Sequence, residues 1–269
     1  MFRFIGFSLI SSIIFIATCL WVAGGINIAK GLSSTHKPVK VDITSVLLNT
    51  TWSQLGEYTK YSPNGSRLGC WSAAFAQIFY YHKLKPVGQV SFTSNNGYPI
   101  DENLEAYNFN WDLFSNHFNA STTEQSRNET AKFIYFTAIV IQKKWGTDGY
   151  SLGIFQTLEH LEKYYKCKLK LYDFFSSNFV KNREAIKKVV KNEIDNKYPL
   201  MFYFDNWGSA HAVVLDGYRE KDNRFYVHLN MGWGGVSDGW YDLFREILYR
   251  GDLKKRLFVT VRAAKEPDK

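Results

Sequence analysis

The sequence predicts an α+β fold of two lobes, helical in its first part and rich in strands in its last. Three observations carry this. Residues 70–81 are apolar on every side of a helical wheel, with Ala73, Ala74 and Ala76 permitting close backbone approach, and helical patterns follow near 130–144, 152–165 and 178–195. After Pro199 the pattern changes to short runs rich in aromatic and branched residues, at 200–204, 211–215, 225–229 and 257–261, bounded by Gly, Asp and Asn. The 269 residues, 45% hydrophobic and 17% aromatic, suffice for one core divided by a cleft. Helices first and strands later argue for segregated layers, not alternating βαβ units.

In chain order, the first segment is 1–29. Arg3 is followed by no charged residue until Lys30, and residues 4–26 are almost wholly apolar. The run is long enough for a secretory signal or a spanning anchor, and Val22-Ala23-Gly24 offers small residues for cleavage. Export is favoured over anchoring, so the expected location is secreted or cell-surface, with membrane attachment if the run is retained. Residues 30–50 read as a linker, 51–262 as the folded domain and 263–269 as a tail. Gly69 can supply an unusual backbone angle where the buried helix begins. Residues 88–129, rich in Asn, Ser, Gly and Asp, read as irregular connections, and Gly146-Thr147-Asp148-Gly149 as a turn between two helices. On the helix near 178–195, Ile186, Val189, Val190 and Ile194 make the apolar face and lysines the wet one.

The net charge of +8 is spread along the chain instead of forming a block, so it reads as solubility and weak surface attraction, not nucleic-acid binding. The three cysteines, 19, 70 and 167, include no CxxC pair, and the six histidines have no HxxxH or HExxH spacing, so no metal is expected, and the chemistry read below needs no organic cofactor. Cys70 and Cys167 are the one pair within the globular part that a disulfide could join.

Cys70 alone reads more readily as an inert core thiol than as a nucleophile. A thiol at a helix N-terminus, paired with an imidazolium, can however be a thiolate at neutral pH. His211, in "GSAHAVVLDGY", opens a hydrophobic strand and is the candidate base; His228, two residues before Asn230, reads as structural. An imidazole that must accept and return a proton needs a group to fix its tautomer and ring plane, and Asn230, in "VHLNMGWGGVSDGWY", is the candidate. Trp233 would shield that hydrogen bond from water. Gln54, in "TTWSQLGEY", could donate to an oxyanion from its side-chain amide, beside the backbone N–H of Cys70.

Read together, "GCWSAAFAQIFYYH", "HAVVLDGY" and "HLNMGWGGVSDGWY", with Gln54 upstream, resemble the streptopain family of cysteine peptidases over residues 51–245, and "NFNWDLF" and "GTDGYSLG" are similar to family segments. The resemblance implies a papain-like fold, a helical lobe with a buried nucleophile helix packed against an antiparallel sheet lobe. It implies Cys70 as nucleophile, His211 as base, Asn230 as orienting amide, Gln54 as oxyanion donor and Trp233 as one of the glycine-flanked tryptophans. His211 follows Cys70 by about 140 positions, as in papain-type enzymes. Met231 stands where the family commonly has tryptophan. About two dozen residues separate the apolar segment from Trp52, too few to form a packed inhibitory propeptide. Restraint by a self-domain is therefore not expected, which leaves a separate protein inhibitor as a candidate partner. The expected activity is endopeptidase hydrolysis of protein or peptide substrates through a Cys70 thioester, with a hydrophobic side chain just upstream of the cut. Acyl transfer by the same residues and a non-catalytic binding module are the alternatives.

Overall fold

The computed structural model describes residues 42–43, 45–174, 179–205, 210–247 and 255–263. The apolar segment 1–29, with Cys19, lies outside the described residues, as does most of the expected tail. Among the described residues no helix is long and apolar enough to cross a membrane.

The elements run β1 (Asp42–Ile43), α1 (Cys70–Tyr81), β2 (Gln89–Thr93), β3 (Pro99–Asn103), α2 (Glu124–Val140), α3 (Ile154–Tyr165), β4 (Cys167–Asp173), α4 (Phe179–Asp195), β5 (Leu200–Asp205), β6 (Ala210–Lys221), β7 (Arg224–Asn230), β8 (Gly239–Asp242) and β9 (Lys255–Ala263). The main sheet has the order β4-β9-β5-β6-β7-β8, antiparallel throughout, and β1 joins β6 beyond the end of β5. This is the α+β class that the sequence predicts, with helices and sheet in separate layers.

The period-two alternation of a strand gives each face of the sheet its own core. Met201, Ala212, Val214, Val259 and Val261 face the helical lobe, where Phe75, Phe79, Phe133 and Tyr165 are buried. Leu200, Phe202, Val213, Leu215 and Phe258 point the other way, onto Ile186, Val190 and Ile194 of α4. The helix α1 is central to the first core: Trp71, Ala73, Ala74, Phe75, Ala76, Ile78 and Phe79 are all buried, in keeping with its all-round apolar sequence. Cys167 opens β4 facing the core, and Cys70 and Cys167 are both free thiols.

Three expectations change. The helix α2 begins at Glu124, not near 130, because Thr123 caps it by accepting the Ser126 N–H; the first turns are polar and hide the helix from a hydrophobic-period reading. The stretch 88–129 contains the hairpin of β2 and β3, whose inward positions are few: Val90 and Ile100 are buried and Phe92 half-buried between polar neighbours. The expected linker 30–50 is in part structural. Asp42 and Ile43 pair with Glu220 and Arg219, Leu47 N–H donates to Asp216 O at 2.9 Å, and Leu48 is buried.

One core-edge group makes stability depend on pH. His82 caps the C-terminus of α1, and burial, aided by the Arg262 charge, lowers its pKa from 6.5 to about 4. Above pH 6.5 the ring is neutral whether folded or unfolded. Between pH 6.5 and 4 the unfolded chain takes up a proton that the folded one refuses, so stability falls as pH drops, by about 2 kcal/mol once solvent screening is allowed for. Urea midpoints at pH 7.5 and 4.5 should therefore differ less in a His82→Phe variant than in the native chain.

Candidate active site

Cys70 is the first residue of α1, and Gly69 before it has φ 85° and ψ 153°, a conformation essentially confined to glycine. The space a side chain at position 69 would need is filled by the Tyr150 hydroxyl and the Lys143 stem. The Tyr150 oxygen accepts the Trp71 N–H at 3.2 Å, so one of the orphan donors at the start of the helix is satisfied by a neighbouring loop. The Cys70 thiol is half-buried and burial pushes it up from its ordinary value, while backbone N–H groups of Ala212, Trp71 and Cys70 itself pull it down in part. The contact with Ala212 sets the sulfur beside the residue that follows His211.

His211 lies at the start of β6, paired with Phe204 of β5. Its Nε2 is 3.0 Å from the carbonyl oxygen of Met231. A carbonyl only accepts, so Nε2 carries the hydrogen and Nδ1 is left as the basic nitrogen. Trp233 stacks on the ring with centroids 4.7 Å apart and planes at 23°. Burial lowers the His211 pKa, and the bond to Met231 restores part of it. Burial thus disfavours the charged form of each group on its own.

The structure also corrects the part expected of Asn230. Its amide does not bond to the His211 ring, whose hydrogen-bond partner is the Met231 backbone. Asn230 Nδ2 donates to Thr50 O at 2.6 Å and to Gln77 Oε1 at 2.9 Å, and its Oδ1 accepts the Gly232 N–H at 3.0 Å. The side chain therefore pins the peptide just after Met231 and bears on the histidine through that backbone. Trp233 covers the imidazole itself instead of a His–Asn bond.

Gln54 lines the same cleft as Cys70 and His211. Its backbone N–H donates to Gly232 O at 3.1 Å, and Ser53 forms an antiparallel bridge with Trp233. His228 bonds through Nδ1 to the buried Asp216 at 2.7 Å.

The cleft has a volume of about 630 Å³, and its walls include Tyr150, Tyr203, and the rim pair Arg67 and Asp148, bonded at 2.7 Å. Behind it lies Lys143, fully buried, with its ammonium donating to the carbonyls of Lys144, Thr147 and Gly149. Burial lowers its pKa to about 8, against the pull of Asp148 and Cys70. A lysine just past a helix reads from sequence as solvated; the nearby turn glycines were the one signal that carbonyls would gather there.

A thiol at the N-terminus of a buried helix, an imidazole on the facing antiparallel sheet and a cleft between them define the class: a papain-like fold with the parts of a cysteine peptidase. The chain belongs to the Peptidase C10 family, whose sequence model matches residues 52–241. Streptopain of Streptococcus pyogenes serotype M28 (strain MGAS6180) is 24% identical over 184 residues, 65% of this chain and 45% of its own; the chain thus spans under half the length of the streptopains it matches. Among solved structures, the active wild-type interpain A cysteine protease of Prevotella intermedia is similar with a TM-score of 0.65 and 23% identity, over 83% of this chain and 96% of that one. A prointerpain A fragment from the same organism also has a TM-score of 0.65, at 22% identity over 94% of this chain and 81% of its own.

Proposed function

We propose that the chain is an exported or membrane-tethered cysteine endopeptidase that hydrolyses protein or peptide substrates through a thioester on Cys70. The observation that supports this most is the meeting, in one cleft, of a thiol on α1 and an imidazole whose Nδ1 is left basic by the bond from Nε2 to Met231. With its proton held on His211, the Cys70 sulfur attacks the peptide carbonyl as a thiolate. The oxyanion that forms is held by the Gln54 amide and the Cys70 N–H. On collapse the C–N bond breaks and the amine leaves with the proton from His211. Water then attacks the thioester carbonyl, giving a proton to His211; the C–S bond breaks, the acid departs and the thiolate is restored. Every proton is accounted for by one imidazole, so the steps call for no cofactor. The apolar run 4–26 supports export or tethering.

The test is hydrolysis of a denatured protein by the chain beside its Cys70→Ala variant. Loss of the nucleophile is expected to lower kcat at least about 1,000-fold with the fold retained. Equal activity in both would remove the reading and leave that of a non-catalytic module.

A further inference from the structure

The geometry points to Asp238 as a positioning residue that closes the loop 231–238 and thereby sets both the base and the oxyanion donor. This rests on the peptidase reading above, which assigns Asp238 nothing. Its Oδ1 accepts the Met231 N–H at 2.7 Å, tying the last residue of the loop to the first. A second bond, from the Asp238 N–H to Gly235 O at 3.2 Å, holds the turn behind it.

What the loop presents makes this closure matter. Met231 O is the acceptor for His211 Nε2, and Trp233 is the ring stacked on the imidazole. Gly232 O accepts the Gln54 N–H, Gly234 N–H donates to Trp52 O at 3.4 Å, and Trp233 bridges to Ser53. Gly232, Gly234 and Gly235 all have positive φ, so the backbone path is one that glycines permit but do not themselves fix. Asn230 pins the peptide after Met231 through the Gly232 N–H, and Asp238 pins the peptide before it. Met231, which carries the carbonyl, is thus held at both of its peptides. An error there is carried to two partners of the reaction at once, because His211 and Gln54 take their positions from adjacent carbonyls of one strand of chain. Misplacement of about 1 Å in such groups slows chemistry about 100-fold while leaving substrate contacts elsewhere intact.

The experiment compares Asp238→Asn, Asp238→Glu and Asp238→Ala in the full chain, measuring kcat and KM separately with thermal midpoints alongside. Asn keeps an oxygen acceptor at the same reach and is expected to hold kcat within about fivefold; Ala removes the acceptor and Glu displaces it, and each should lose kcat about 30-fold or more with KM within about threefold. Should the alanine variant not fold, the contrast of Glu with Asn decides. Wild-type kcat in the glutamate variant, a change confined to KM, or an asparagine variant as slow as the others would each overturn the proposal. A second readout needs no turnover: the His211 Nε2–H signal in nitrogen-15 NMR should be slow to exchange in the native and Asn chains and fast in the Glu chain. An unchanged signal in the Glu chain overturns the positioning role even where hydrolysis is absent. Equal hydrolysis by the native and Cys70→Ala chains would instead sink the peptidase reading alone.

Discussion

A Gly69→Ala chain is expected to lose hydrolytic activity by at least about 100-fold and, where it folds, to be destabilised by about 3 kcal/mol or more. Two independent effects act in the same direction. At φ 85° and ψ 153° an L side chain is strained whatever room it has. There is also no room: a Cβ would stand 2.9 Å from Lys143 Cε and well inside contact distance of the Tyr150 hydroxyl. Neither neighbour can withdraw cheaply. Lys143 is anchored to carbonyls of Lys144, Thr147 and Gly149, and Tyr150 satisfies the Trp71 N–H. Relief must come from the start of α1, which carries the Cys70 sulfur and its N–H. The check is a denaturant midpoint beside a rate of Cys70 alkylation; a variant with native values of both would show that the turn is more pliable than its geometry implies.

The second large effect is expected from Gln77→Leu. Gln77 is fully buried on α1, and its Oε1 accepts from Thr50 Oγ1 at 2.8 Å, Trp52 N at 3.2 Å and Asn230 Nδ2 at 2.9 Å, while its Nε2 donates to Asn230 Oδ1 at 3.2 Å. Leucine matches the volume but strands several of these groups away from water, at about 3 kcal/mol in total. The amide joins the helical lobe, the segment leading to Gln54 and the end of β7. Its loss should therefore lower kcat as well as stability, by about 10-fold or more. A shifted urea midpoint with unchanged slope would locate the effect in the folded state; a shift below about 0.5 kcal/mol would show that the partners find replacements.

How much of this was legible in the sequence depended on whether side chains or backbone carried the message. The helix of Cys70, the strand of His211 and the order of the motifs were all readable, since each is written in apolar periodicity and in a few uncommon residue types. The partner of His211 was not. It is a carbonyl, which every residue possesses, so nothing in "HLNMGWGG" distinguishes Met231 O from its neighbours. Asn230 drew the assignment because a side-chain amide is visible and a peptide is not. Its observed work, fixing the backbone beside Met231, can be seen only once the loop path is known. Lys143 was hidden for the opposite reason: its charge argues for solvent, and only the fold shows that carbonyls of residues 144–149 replace the water. The hairpin of β2 and β3 escaped because its few buried apolar positions do not sustain an alternation. Gly69 was readable in kind, as an unusual angle, but not in consequence, since the atoms that make it obligatory come from residues far along the chain.

The stacking of Trp233 on His211 bears on the kind of electrostatics this cleft employs. On the proposed mechanism the ring is a cation while it holds the thiol proton, and what meets that cation is the electron-rich face of an indole together with a peptide dipole; among the described residues no carboxylate is bonded to the ring. Quadrupoles and dipoles act over a few ångströms and carry no net charge for dissolved ions to gather around. The cation is therefore favoured by two groups that carry no net charge, and their share of its stabilisation should be nearly indifferent to the ionic strength of the surroundings.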